Sequence, residues 1–166
     1  MRTIVKETNV FKFEELPENV KEKAVSNLYD INVDRDWWDC TYEDAANVGL
    51  KITEFDIERG SYCEGKLTLP AQATCKKIIQ DHGAGCDTYK LAQKYLPQFE
   101  LLEEKNEEGE FTDQIEQLEE EFVKELNEEY LSNLRKEYEY LTSEEAIIET
   151  INANEYEFTL EGKNYR

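Results

Sequence analysis

The stretch EEKNEEGEFTDQIEQLEEEFVKELNEEY, residues 103–130, joins dense negative charge to an apolar stripe, and the stripe constrains the fold most. Phe111, Ile115, Leu118 and Phe122 recur at steps of three and four, the spacing of one helix face. A long helix is therefore expected over about 112–141. Continuing through Leu126, Tyr130 and Leu134 at steps of four rotates the stripe by about 40° each time, because a helix turns about 100° per residue. The two halves bury different faces. Either the helix breaks near Asn127 or it leans on two different neighbours.

The flanking sequence supplies the partners. TNVFKFEEL alternates apolar and polar residues and reads as a short strand. LPENVKEKAVSNLYDI follows as a helix, with Pro17 near its first turn and Val20, Ala24, Leu28 and Ile31 on one face. RDWWDCTYEDAANVG predicts a second helix, with Trp38, Tyr42, Ala45 and Ala46 at helical spacing and Gly49 as C-terminal cap. LKITEFDIERGSYCEGKLTL predicts a hairpin around ERGS, with Leu50 and Ile52 on one face and a bulge marked by Gly65. PAQATCKKIIQDHG predicts a helix ended by Gly83, and CDTYKLAQKYL another, capped by Asp87 or Thr88 and stopped by Pro97. After the long helix, TSEEAIIETINAN carries a Ser/Thr cap with Glu144 or Glu145 placed for a capping box. EYEFTLEGKNY closes the chain as a strand or a hairpin around Gly162. The order β-α-α-β-β-α-α-α-α-β predicts an α+β fold, a small antiparallel sheet covered by about five to six helices. One domain over 1–166 is expected from the length, with the acidic stretch 100–110 as the candidate flexible loop.

The formal net charge is −20, from 39 acidic and 19 basic residues among 166. Such a surface repels nucleic acid, whose binding needs Lys and Arg on phosphates, and repels anionic membranes. A basic protein is the expected partner, with no direct nucleic-acid binding and no membrane. No apolar run reaches the roughly 20 residues of a membrane span, and MRTIVKETNVFKF lacks a signal-peptide apolar core, so a cytoplasmic location is expected. Cys40, Cys63, Cys75 and Cys86 are then expected to be free thiols. The nearest approach to a metal set is Cys75, His82 and Cys86 in CKKIIQDHGAGC, but no CxxC accompanies it and a fourth ligand is missing locally. No metal and no other cofactor is expected.

ELPENVKEKA, WWDCTYEDAANVGLKITEFDIERGSYCEGKL, DHGAGCDTYK and YEYLTSEEAIIETINANEYEF resemble blocks of a family of small acidic proteins encoded by bacteriophages and prophages. The resemblance spans nearly the whole chain. It implies a phage origin and the cytoplasm of a bacterial host, but, the family's function being unknown, no catalytic or binding residue. Proteins of this size and acidity also resemble, more loosely, anti-CRISPR proteins and other inhibitors of host defence.

Residues 100–129 carry 14 acidic residues and two lysines, a net of −12. If wholly helical, that is one net charge per about 4 Å of axis, against one per about 3.4 Å in a single nucleic-acid strand. With the apolar stripe turned inward, Asp113, Glu116, Glu120, Glu121, Glu125 and Glu128 are expected on the outer side as the partner-binding set. The expected function is a phage-encoded nucleic-acid mimic or steric block that binds a basic nucleic-acid-binding surface, foremost that of an RNA-guided CRISPR-type nuclease or its guide-RNA complex. An antitoxin-like or chaperone-like neutraliser of a basic protein shares these electrostatics. A metal-dependent enzyme would have to use carboxylates such as Asp34, Asp36 and Asp39, or Asp56 and Glu58. With one histidine and no GxGxxG, GxxxxGK[ST] or HExxH, catalysis is not the expectation. Trp37, Trp38 and Tyr42 read as core and rim aromatics, since nothing basic surrounds them for base stacking.

Overall fold

The computed structural model describes residues 2, 7–106 and 109–165. Its elements follow the expected order: β1 (Phe11–Lys12), α1 (Glu18–Asn27), α2 (Asp39–Val48), β2 (Leu50–Asp56), β3 (Tyr62–Leu67), α3 (Ala71–Asp81), α4 (Asp87–Lys105), α5 (Thr112–Leu141), α6 (Glu144–Ala153) and β4 (Glu157–Phe158). The fold is α+β, with six α-helices and two antiparallel two-stranded sheets, β1-β4 and β2-β3, among the described residues. Two compact units share the chain. One takes the described residues through Trp37 and those from Glu137 on; the other is Trp38–Lys136.

In the first unit β1 pairs with β4, Phe11 opposite Phe158 and Lys12 opposite Glu157. The strand expected over 8–16 stops after two residues. The Glu15 carboxylate accepts the Lys12 N–H at 2.8 Å, and the chain tightens into a 3₁₀ turn over Phe13–Glu15. That turn sets Phe13 and Leu16 on one side, where they pack with Val20, Ala24, Ile147, Ile151 and Phe158 as the core. α1 also ends sooner than its periodicity suggested. Past Asn27 the chain leaves the helix and its amides make tertiary bonds, Asn27 Nδ2 to the Gly162 carbonyl (2.9 Å) and Asn32 Nδ2 to the Leu141 carbonyl (3.0 Å). At the start of α6, Ser143 Oγ accepts the Ala146 N–H at 3.3 Å, which makes Ser143 the cap and Ala146 the third helical residue, so neither Glu144 nor Glu145 sits where a capping box needs it. The terminal hairpin turns at Gly162, whose φ is +76° and whose Cα leaves no room for a side chain, a Cβ there lying 3.0 Å from Lys23 Cβ.

In the second unit Gly49 closes α2 in the left-handed region (φ +98°), as a C-terminal glycine should, and delivers the chain into β2. Leu50 and Ile52 are both buried from the same face of the β2-β3 hairpin. The bulge lies at Thr53, with Ile52 opposite Gly65 and Glu54 opposite Glu64, so Gly65 faces the irregularity from the partner strand.

Two expectations about helix ends fail. α4 begins after Cys86 and runs through Pro97 to Lys105. Pro97 is exposed while Tyr95 and Phe99 on either side are buried, so packing on the inner face holds the helix past a residue that costs about 3 kcal/mol in a helix interior. The Gln98 amide donates to the Lys94 carbonyl at 2.8 Å in the turn the proline disrupts. The flexible loop expected over 100–110 is correspondingly shorter: 100–105 are helical, and residues 107 and 108 lie outside the described residues.

α5 is continuous past Asn127, and its rotating stripe meets a changing set of partners. Phe122 packs on Tyr95 and Phe99 of α4, with ring centroids 5.3 and 5.9 Å away. Two turns on, Tyr130 is fully buried and its hydroxyl donates to Asp44 Oδ2 of α2 at 2.9 Å. No helix is long and apolar enough to cross a membrane among the described residues.

Candidate partner-binding groove

The acidic segment is not one rod. Its first six residues, 100–105, finish α4, and the chain turns before α5 begins at Thr112. The charge comparison therefore holds only within α5, where 112–129 carry eight acidic residues against Lys124, a net of −7 over about 27 Å of axis.

Within α5 the six expected residues part company. Glu116, Glu120 and Glu128 line a groove of about 960 Å³ between α5 and β3. Asp113 is exposed in the first turn, where its charge suits the helix dipole. Glu121 lies beside a smaller depression with Leu101, Leu102 and Leu118, and its carboxylate accepts from Gln117 Nε2 at 3.3 Å. Glu125 corrects the outward assignment. It turns to α4, accepting from Lys94 Nζ at 2.7 and 2.8 Å and from the Tyr95 hydroxyl at 2.8 Å. Lys94 above all, with Tyr95 helping, holds its carboxyl below the usual glutamate range. A stripe centred on Phe122 and Leu118 leaves Glu125 on its flank, so this charge joins two helices.

The groove also uses residues that sequence reasoning missed. Val123 and Leu131 supply apolar surface from α5, and Cys63 and Leu67 supply it from β3. Glu119 adds a fourth acidic side chain, and Lys66 and Lys124 are its cations. Among the described residues, none of Glu116, Glu119, Glu120 and Glu128 has an ion-pair partner, whereas Glu125 and Glu100 are paired with Lys94 and Lys76. The groove is thus an apolar trough with an acidic rim whose carboxylates are uncommitted.

Gly65 and Asn127 fix how closely the two walls approach. Asn127 Nδ2 donates to the Gly65 carbonyl at 3.3 Å, and a Cβ on Gly65 would lie 2.8 Å from Asn127 Oδ1 and 3.1 Å from Leu50. Asn127 Oδ1 itself is buried without a hydrogen-bond partner among the described residues. Both residues were visible in the sequence, as a glycine inside a strand and an amide interrupting an apolar stripe, but nothing local says that they meet.

The metal set is not assembled. Cys75 is fully buried in α3, and burial pushes its thiol up to about 12, so it stays protonated. Cys86 is exposed. His82 Nδ1 lies 2.7 Å from Thr88 Oγ1, and Nε2 lies 3.4 Å from Asp44 Oδ1, with no hydrogen bond to it among the described residues. Among the described residues no three His, Cys, Asp or Glu side chains are placed to hold a metal ion, and the four cysteines are unpaired. Of the carboxylates open to a catalytic reading, Asp34, Asp36 and Asp39 are exposed, and Asp56 Oδ1 accepts the Glu58 N–H at 2.7 Å within the hairpin turn. Trp37 packs on Tyr138 in the first unit, and Trp38 and Tyr42 pack on Phe55 in the second, all half-buried.

In comparisons with known proteins, no protein family, curated protein or solved structure matched the chain.

Proposed function

We propose that this protein is an acidic inhibitor that occupies the basic nucleic-acid-binding surface of another protein, the target class being an RNA-guided nuclease of bacterial defence. The single observation that carries the reading is the set of four uncommitted carboxylates, Glu116, Glu119, Glu120 and Glu128, around the groove of a chain of net charge −20. Carboxylates already paired within a fold offer little to a partner; unpaired ones can receive Lys and Arg that would otherwise hold phosphates. The phage resemblance supplies the direction, since a phage benefits from blocking a channel built for RNA or DNA. No step of chemistry is needed. The protein acts by being there.

The test is inhibition by design. Target-DNA cleavage by purified nuclease–guide complexes is measured with the wild type, with a variant changing Glu116, Glu119, Glu120 and Glu128 to Gln, and with a control changing Glu103, Glu104, Glu144 and Glu145 to Gln. Gln keeps helix propensity and shape, so folding is expected to survive. Inhibition by the wild type and the control, with slower association and a shallower salt dependence in the groove variant, supports the proposal. Equal phage restriction with and without the protein, across hosts carrying such nucleases, refutes it.

A further inference from the structure

The groove narrows what part of a basic partner can enter. Its β3 wall spans 61–67 and its α5 wall 116–131, so both run for about 20 Å. An open trough about 20 Å long matches about 13 residues of helix lying with one side in it, at about 1.5 Å per residue.

An extended segment is disfavoured for a different reason. The sheet ends at β3 among the described residues, so β3 has an unpaired edge that an incoming strand could in principle extend. Along a strand, successive residues direct their backbone groups to opposite edges. The Glu64 carbonyl accepts from Thr53 Oγ1 of β2, and the Thr68 N–H donates to the Gly49 carbonyl just before β2, so those residues face the occupied edge. Gly65 faces the other way, and its carbonyl is already taken by Asn127. A strand added there would have to share its central rung with the Asn127 amide. A helix needs no rung, because its backbone bonds are internal.

We infer that the groove between β3 and α5 seats one face of a basic amphipathic helix of about 13 residues in the partner. Its apolar side chains lie on Val123, Leu131, Cys63 and Leu67, and flanking Lys or Arg reach the acidic rim. This deepens the proposed inhibitor reading by naming the element of the partner that is bound. The four rim carboxylates outnumber Lys66 and Lys124, so the charge of the trough favours a cationic occupant.

The probe is a labelled synthetic 18-residue peptide with Leu at i, i+3, i+4 and i+7 and Lys or Arg elsewhere, set against a scrambled peptide of identical composition. Binding is followed by fluorescence anisotropy at two salt concentrations. The decisive variant is Val123→Glu, which adds a negative charge to the trough while removing apolar surface from its floor; its thermal unfolding is checked beside the wild type. The expected result is about tenfold preference for the amphipathic peptide, and about tenfold loss of it in Val123→Glu despite the extra charge. Glu103→Gln/Glu104→Gln, outside the groove, is expected to leave binding unchanged. Equal binding of the two peptides, or undiminished binding by Val123→Glu, overturns the inference and leaves diffuse charge attraction. The two readings fail separately: nuclease inhibition that survives Val123→Glu sinks the groove helix alone, and peptide selectivity without nuclease inhibition sinks the inhibitor reading alone.

Discussion

Changing Gly65 to Ala tests whether α5 and β3 are locked at the distance that creates the groove. The new Cβ would lie 2.8 Å from Asn127 Oδ1 and 3.1 Å from Leu50, and the first contact is closer than real Cβ atoms tolerate. Swinging Asn127 away would break the bond from its Nδ2 to the Gly65 carbonyl. Overpacking of this kind costs about 1–3 kcal/mol. At about 2–4 °C per kcal/mol for a chain of this length, the midpoint of thermal unfolding should fall by a few degrees or more. Asn127→Ala on its own removes a hydrogen bond worth about 1 kcal/mol, but it also removes a buried acceptor with no partner and improves helix propensity, so it should be close to neutral. The double variant then decides. With Asn127 truncated, most of the cost of Gly65→Ala should disappear, giving a coupling of about 1 kcal/mol or more in a double-mutant cycle followed by urea unfolding. If Gly65→Ala costs the same with and without the Asn127 side chain, the two residues do not oppose each other and the account of the groove's width is wrong.

Two further outcomes follow from the charges and thiols of the second unit. Glu125 has a carboxyl lowered from 4.5 by Lys94 and Tyr95, so its contribution is present above that value and lost as pH falls through the lower folded one. The stability gap between wild type and Glu125→Gln should therefore be full at pH 7 and shrink below about pH 4.5, measured by thermal unfolding across pH; it should remain modest, since the pair is largely solvated. Alkylation by iodoacetamide at pH 8 should modify Cys40 and Cys86 and spare Cys63 and Cys75, whose thiols burial pushes up to about 11 and 12. Rapid labelling of Cys75 in folded protein, read by mass spectrometry, would contradict the packing described.

What the sequence made legible was local, and what it hid was pairing. Hydrophobic period and punctuation were enough for the order of all ten elements, for both ends of α5 and for the Gly49 cap, because those signals sit within a few residues of what they specify. Pro97 misled because a local rule met a non-local force: Tyr95 and Phe99 are buried against Phe122, and that packing outweighs one missing hydrogen bond. The acidic face was legible except at Glu125. A helical wheel places Glu125 and Glu128 on neighbouring flanks, and only the position of α4 decides that the first meets Lys94 while the second faces a groove. The groove's other wall was beyond reach for a stronger reason. It comes from β3, and the Gly65–Asn127 contact spans 62 residues of chain, so no window around the glutamates contains it. Counting charge along the segment could therefore suggest that a basic partner is wanted, but the form of that partner depends on which carboxylates the fold has left unpaired. Four of them surround an apolar trough, and an apolar trough discriminates by shape as well as by sign. Under the proposed inhibitor reading, a flat phosphate mimic would tolerate any arrangement of lysines, whereas a trough about 20 Å long would call for apolar residues between them.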